Sequence, residues 1–190
     1  MELQQVITEY KVIRSSRRTL GMELKDEGLL IRAPRFASKR EIERFINSNI
    51  SWIERQIAKK EKQAEELSKI RVLSEDEKKA LAREAKRVIP ERCAYYAEKV
   101  GVTYETISIR WQKTRWGSCS AKGNLNFNCL LMLAPEEVLD SVVVHELCHR
   151  KQMNHSRQFY AEVYKVFPDY DKWNRWLKDN GKALMARAGK

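Results

Sequence analysis

The sequence predicts an α+β fold with strands and helices segregated along the chain. Three observations carry this: period-two apolar patterning in the first 36 residues, two Ser-x-x-Glu signatures that each open an apolar run at helical spacing, and a late helix that is apolar almost all round. With 190 residues, 43% of them hydrophobic, the chain is long enough to build a real core.

Taken in order, Gln5–Arg14, Thr19–Lys25 and Leu29–Pro34 read as strands separated by the polar stretches 15–18 and 26–28, which together predict a small antiparallel meander. Ser38 with Glu41 forms a capping box, and Ile42, Phe45, Ile46, Ile50, Ile53 and Ile57 recur at helical spacing, so a helix or a broken helix pair follows. From Lys59 to Lys69 almost every residue is charged or small, as in a solvated bridging helix, and a boundary placed there divides the chain into residues 1–70 and 71–190. Ser74 with Glu77 opens another helix, which carries Leu81, Ala85, Val88, Tyr95 and Val100. Gly101 ends it, and Pro90 is expected to kink or interrupt it.

Thr106–Trp111 then alternates, the segment GSCSAKGN supplies a turn, and the alternation resumes from Leu125 toward Met132, which predicts a hairpin. Pro135, Glu136 and Glu137 mark a helix start, and the run VLDSVVVHELCH has the composition of a helix at the centre of a domain. Trp173 and Trp176, three apart, suit one face of a last helix that ends at Asn180-Gly181. Their basic neighbours Lys172 and Arg175 also fit an aromatic and basic nucleic-acid patch, but the spacing favours packing.

All three histidines fall within eleven positions of that apolar helix and its continuation. One residue advances about 100° in an α-helix, so His145 and His149 share a face one turn apart and their imidazoles converge on one ion. Glu146, beside His145, is near enough to take a proton from a water on that ion without being a ligand, as in H-E-x-x-H hydrolases. A catalytic zinc needs a third protein ligand and an open position. His155 qualifies if the chain leaves the helix between Arg150 and Asn154. Asn154 tolerates left-handed dihedrals and is the expected turning point, and Ser156 is placed to cap a returning helix.

HELCH, the five residues RKQMN, His155-Ser156 and an aromatic at Phe159 follow KTRWGSCSAKGNLNFN in order and spacing. Together they resemble the YgjP-like metallopeptidase family, relatives of the SprT-like zincins, over nearly the whole chain. The resemblance implies a zincin-like catalytic domain with a small antiparallel sheet and an active-site helix, metal ligands His145, His149 and His155, and Glu146 as general base. Glycine between the second and third histidines and a Met-turn, which a metzincin would have, are both missing.

The Thr106–Met132 hairpin offers an edge on which an extended peptide can pair. Arg115, Trp116 and Ser118 lie between its strands as candidate substrate-binding residues, with Arg115 suited to a carboxylate or phosphate and Gly117 to close backbone approach. Trp116 reads equally well as core and Gly117 as a bulge.

The leading expectation is a Zn2+-dependent peptidase acting on a peptide or protein, with another divalent transition metal as an alternative cofactor. A hydrolase of nucleotides or other small phosphoanhydrides, and a nucleic-acid-binding module with a structural metal, remain as alternatives, since a net charge of +11 attracts acidic partners. The longest apolar runs are about six residues, well short of the roughly 18 a bilayer span requires, which argues against a membrane partner. Four cysteines without a C-x-x-C pair, behind a start with no apolar leader, fit reduced thiols and a cytoplasmic protein.

Overall fold

The structure is a computed structural model and describes residues 2–189. It is α+β and divides into two compact units, Met1–Lys69 and Ile70–Lys190.

In the first unit a short helix, α1 (Leu3–Thr8), precedes three strands, β1 (Lys11–Ser15), β2 (Gly21–Lys25) and β3 (Gly28–Pro34), and two helices, α2 (Lys39–Asn47) and α3 (Ile50–Ser68). β2 and β3 form a hairpin in which Lys25 faces Gly28, and Gly28 holds φ 121°, a conformation that side chains resist. β1 lies on the other side of β3 and runs parallel to it.

The expected antiparallel meander is therefore corrected twice. Residues 3–8 are helical because Leu3, Val6 and Ile7, spaced by three and four, place one apolar face on the core. β3 is the central strand because its Leu29, Leu30, Ile31 and Ala33 are buried and need cover on both faces, whereas every residue of β1 is exposed. The Ser38–Glu41 capping box is formed at α2, and Ile42, Ile46, Ile53 and Ile57 complete the same core. The charged run from Lys59 is the second half of α3.

The second unit opens with α4 (Glu75–Val100), capped by the Ser74–Glu77 box and closed by Gly101 in the left-handed region. α4 continues through Pro90, where an interruption was expected. Proline removes one hydrogen bond, but Ile89 and Cys93 beside it are wholly buried, and their packing holds the helix together.

Three strands follow, β4 (Ile107–Arg110), β5 (Gly117–Cys119) and β6 (Leu125–Asn128), in the order β4-β6-β5 with β4 parallel and β5 antiparallel to β6. The sheet is thus mixed, and Gly117–Cys119, expected in a turn, forms a strand of its own. The turn itself is confined to residues 120–124, where Gly123 takes φ 89°. β6 stops at Asn128 because its side-chain oxygen accepts from the Leu130 N–H and folds Cys129–Leu133 into a 3₁₀ turn.

Three helices complete the unit, α5 (Glu136–Cys148), α6 (Arg157–Val166) and α7 (Tyr170–Ala186). α7 runs past Gly181, the expected stop. A Cβ there would lie 3.1 Å from Trp116 Cζ2, so this glycine admits a close-packed indole and does not end the helix. Trp173 and Trp176 pack half-buried against the core.

α5 is tied to α4 by a polar cluster. The Asp140 carboxylate, buried at 4% exposure, accepts both Nε (2.6 Å) and Nη2 of Arg92 and the Tyr96 hydroxyl (2.9 Å), while Arg92 Nη1 reaches Glu136 at 3.0 Å. Such bidentate pairing fixes the rotation of α5 about its axis, and with it the direction in which the histidines point. Among the described residues, no helix is long and apolar enough to cross a membrane.

Candidate metal centre

His145 and Glu146 lie in the last turn of α5, and His149 is its C-cap. Past it the chain tightens, with Arg150 N–H to Leu147 O and Lys151 N–H to Cys148 O, and then leaves the helix. Among the described residues only glycines have positive φ, so Asn154 does not turn the chain by the left-handed route expected of it. Its side-chain oxygen instead accepts from the Ser156 N–H at 3.3 Å, an Asx turn, and the Ser156 hydroxyl accepts from the Phe159 N–H to cap α6. Helix, turn and returning helix bring the exposed His155 back over the other two.

One ring nitrogen from each of His145, His149 and His155 lies within 4.8 Å of the others, and the Nε2 atoms of His145 and His155 are 3.0 Å apart. The remaining nitrogens of the two helical histidines are engaged on the far side. His149 Nδ1 is 3.0 Å from the Gln152 carbonyl, which can only accept, so Nδ1 carries the proton and Nε2 presents a lone pair. His145 Nδ1 is 2.8 Å from the Tyr170 hydroxyl. Phe159, wholly buried, packs against all three rings with centroids 4.6–5.0 Å away.

Burial, reinforced by the neighbouring imidazoles, lowers His145 to about 3, and burial lowers His149 as well. The His145 and His149 rings are neutral near pH 7, the state in which imidazole ligates. Three converging imidazoles, two of them oriented by outer hydrogen bonds, are the donor set of a divalent transition metal, and the residues present fit one.

Glu146 is 6% exposed and has no hydrogen-bond partner among the described residues. Burial pushes its carboxyl up to about 8, and a dication beside it would favour the charged form and oppose that rise. The carboxylate rests against β5, where a Cβ on Gly117 would sit 2.7 Å from Glu146 Oε1. The glycine therefore serves the close approach.

A cleft of about 230 Å³ adjoins Glu146 and His145, lined also by Arg115, Trp116, Ser141, Tyr170, Asn174 and Leu177. Of the candidate substrate-binding residues, Arg115 and Trp116 line it. Ser118 does not, because alternation along β5 turns it away and it accepts from Asn126 Nδ2 at 3.3 Å.

Two contributors escape a reading of the sequence. Tyr170 begins α7, 25 residues beyond the histidine it touches. Asn128, wholly buried, donates to the carbonyls of Gln112 (2.8 Å) and Arg115 (3.0 Å) and so pins the loop that frames the cleft. An asparagine at the end of a strand that is otherwise buried was the available signal for the second; nothing local marks the first.

Fold and site together define a metal-dependent hydrolase. Residues 68–180 match the family model described as YgjP-like, metallopeptidase domain, and the chain belongs to that family. Among solved structures, the metallopeptidase zymogen of Pyrococcus abyssi abylysin is similar at 24% identity and TM-score 0.44, covering 48% of this chain and 94% of that one. The zymogen of Methanocaldococcus jannaschii jannalysin is similar at 22% identity and TM-score 0.44, covering 48% and 95%. No curated protein matches.

Proposed function

We propose that the unit beginning at Ile70 is a zinc peptidase domain in which His145, His149 and His155 hold the ion and Glu146 moves the proton. The observation that carries this reading is the convergence of three imidazoles, two of them oriented by hydrogen bonds, beside a buried carboxylate with no hydrogen-bond partner among the described residues. Zinc held there would supply Lewis-acid polarisation of a carbonyl and lower the pKa of water.

Glu146 takes a proton from the attacking water and returns it to the leaving amine. Gly117 keeps β5 close enough for that carboxylate to be held at one depth, and Tyr170 holds the His145 ring in the orientation that directs Nε2 inward. β5 pairs with β6 on one side only, so an extended peptide laid along its other edge would pass beside Glu146. The apolar cleft walls Trp116 and Leu177 suit the side chains of a peptide.

Elemental analysis of protein purified without an affinity tag tests the metal, with near-stoichiometric zinc expected. Digestion of unfolded casein tests the reaction; a chelator and Glu146→Gln should each abolish it, the latter with zinc retained. Should the Gln variant lose its zinc, Glu146 is a ligand and the division of roles is wrong.

A further inference from the structure

The cleft beside Glu146 is asymmetric. It is walled by His145 and Glu146 but not by His149 or His155, so it extends to one side of the histidine cluster. On the peptidase reading, from which this inference starts, Glu146 hands its proton to the leaving amine. The residue that contributes that amine must therefore lie on the Glu146 side, with its side chain at this cleft.

Three hydrogen-bonding side chains around the cleft are unspent. The Arg115 guanidinium, the Asn174 amide and the Thr114 hydroxyl all line it, and none has a hydrogen-bond or ion-pair partner among the described residues. Their neighbours are satisfied: Ser141 donates to the Val138 carbonyl at 2.7 Å, and Tyr170 holds His145. Arg115 is also anchored, since its carbonyl is bound by buried Asn128. Glu146 is the only acid in the lining; it sits at the buried end against Gly117, while Arg115 is exposed at the mouth. Arg115 and Glu146 line the same cleft and a strand rises ~3.3 Å per residue, so a group held by Arg115 belongs to a residue close to the bond that is cut.

We infer that this cleft selects a carboxylate on the leaving-amine side of the scissile bond, bound by Arg115 with Asn174 and Thr114. A planar guanidinium accepts a carboxylate in bidentate fashion, and the two neutral groups satisfy its remaining lone pairs. The carboxylate has two sources, an Asp or Glu side chain within the peptide or the free carboxyl terminus of a short one, and the second would make the enzyme trim chain ends.

The test uses acetylated alanine peptides with one central Glu, Gln or Lys, each made with an amidated and with a free carboxyl end. Binding is measured on zinc-loaded Glu146→Gln protein, so the readout does not depend on turnover, and cleavage is measured separately on the wild type. Binding should favour Glu over Gln by tenfold or more, the scale of a charge-assisted hydrogen bond, with Lys weakest. Adding Arg115→Gln should bring the Glu-to-Gln ratio close to one, and Arg115→Glu should invert it toward Lys. A preference that follows the free carboxyl end and ignores the central residue assigns the site to chain termini.

Equal binding of all the peptides, or a Glu preference that survives Arg115→Gln, overturns the inference whatever the wild type cleaves. Selective binding lost with Arg115, in a wild type that cuts none of the peptides, keeps the carboxylate site and overturns the peptidase reading instead.

Discussion

The two units contain the same small sheet built for different ends. In each, three strands follow one another in sequence, the third takes the middle with the first parallel and the second antiparallel to it, and a helix opened by a Ser-x-x-Glu box contributes to the core. The core of the first sheet is apolar, and the Arg17 guanidinium packs at its edge against Gly21 of β2. Among the described residues, the buried polar and charged ones, Asn128, Asp140, Ser141, Glu146 and His149, all belong to the second unit. Polar burial is costly unless compensated. Asn128, Asp140, Ser141 and His149 each have a named partner, and Glu146 alone has none. The comparison teaches that the sheet is a neutral platform and that the site lies in the buried polar groups added to one copy of it.

The sharpest way to break the comparison is at that uncompensated group. Glu146→Gln should lower turnover on an unfolded protein substrate by roughly 10²–10⁴-fold with metal content unchanged; a variant as active as wild type would make Glu146 an ordinary buried carboxyl.

Tyr170→Phe keeps the ring against His145 but removes the hydroxyl. Metal affinity, measured by chelator competition, should weaken about 10–100-fold without loss of helicity. An unchanged affinity would reduce Tyr170 to packing.

Asp140→Ala leaves Arg92 and Tyr96 without their buried partner and should cost about 3 kcal/mol in denaturant unfolding of the second unit. The matched change in the first unit, Ile53→Val, should cost about 1 kcal/mol and leave metal content untouched.

The smallest effects belong to the capping boxes that the units share. Ser38→Ala and Ser74→Ala should each cost about 1 kcal/mol. Hydrogen bonds from Arg71 and the Ser74 backbone hold Glu77 at about 2, below its usual 4.5. Its contribution is therefore complete above the unfolded value and fades as pH falls from about 4.5 to 2. An acid titration of unfolding should show that window, and Glu77→Gln should remove it.

What the chain determined locally was legible in it. Both capping boxes form where Ser38 and Ser74 place them, and the four-residue spacing of His145 and His149 puts two imidazoles on one face because 3.6 residues make a turn. Residues whose meaning depends on a distant partner misled. Gly181 looks like a helix stop until Trp116 is packed on it, and GSC looks like a turn until Phe127 and Glu146 lie on either side of Gly117. Leu3–Thr8 fits a strand pattern as well as a helix, and only the core it meets selects the helix. Tyr170 has no mark of its own, because a hydrogen bond across 25 residues depends on how α7 packs against α5. Period and caps act within one or two turns of chain and can be read from it. Strand order, close approach and the outer hydrogen bonds of the histidines are settled by competition among surfaces for burial, and that competition takes place only in the folded protein.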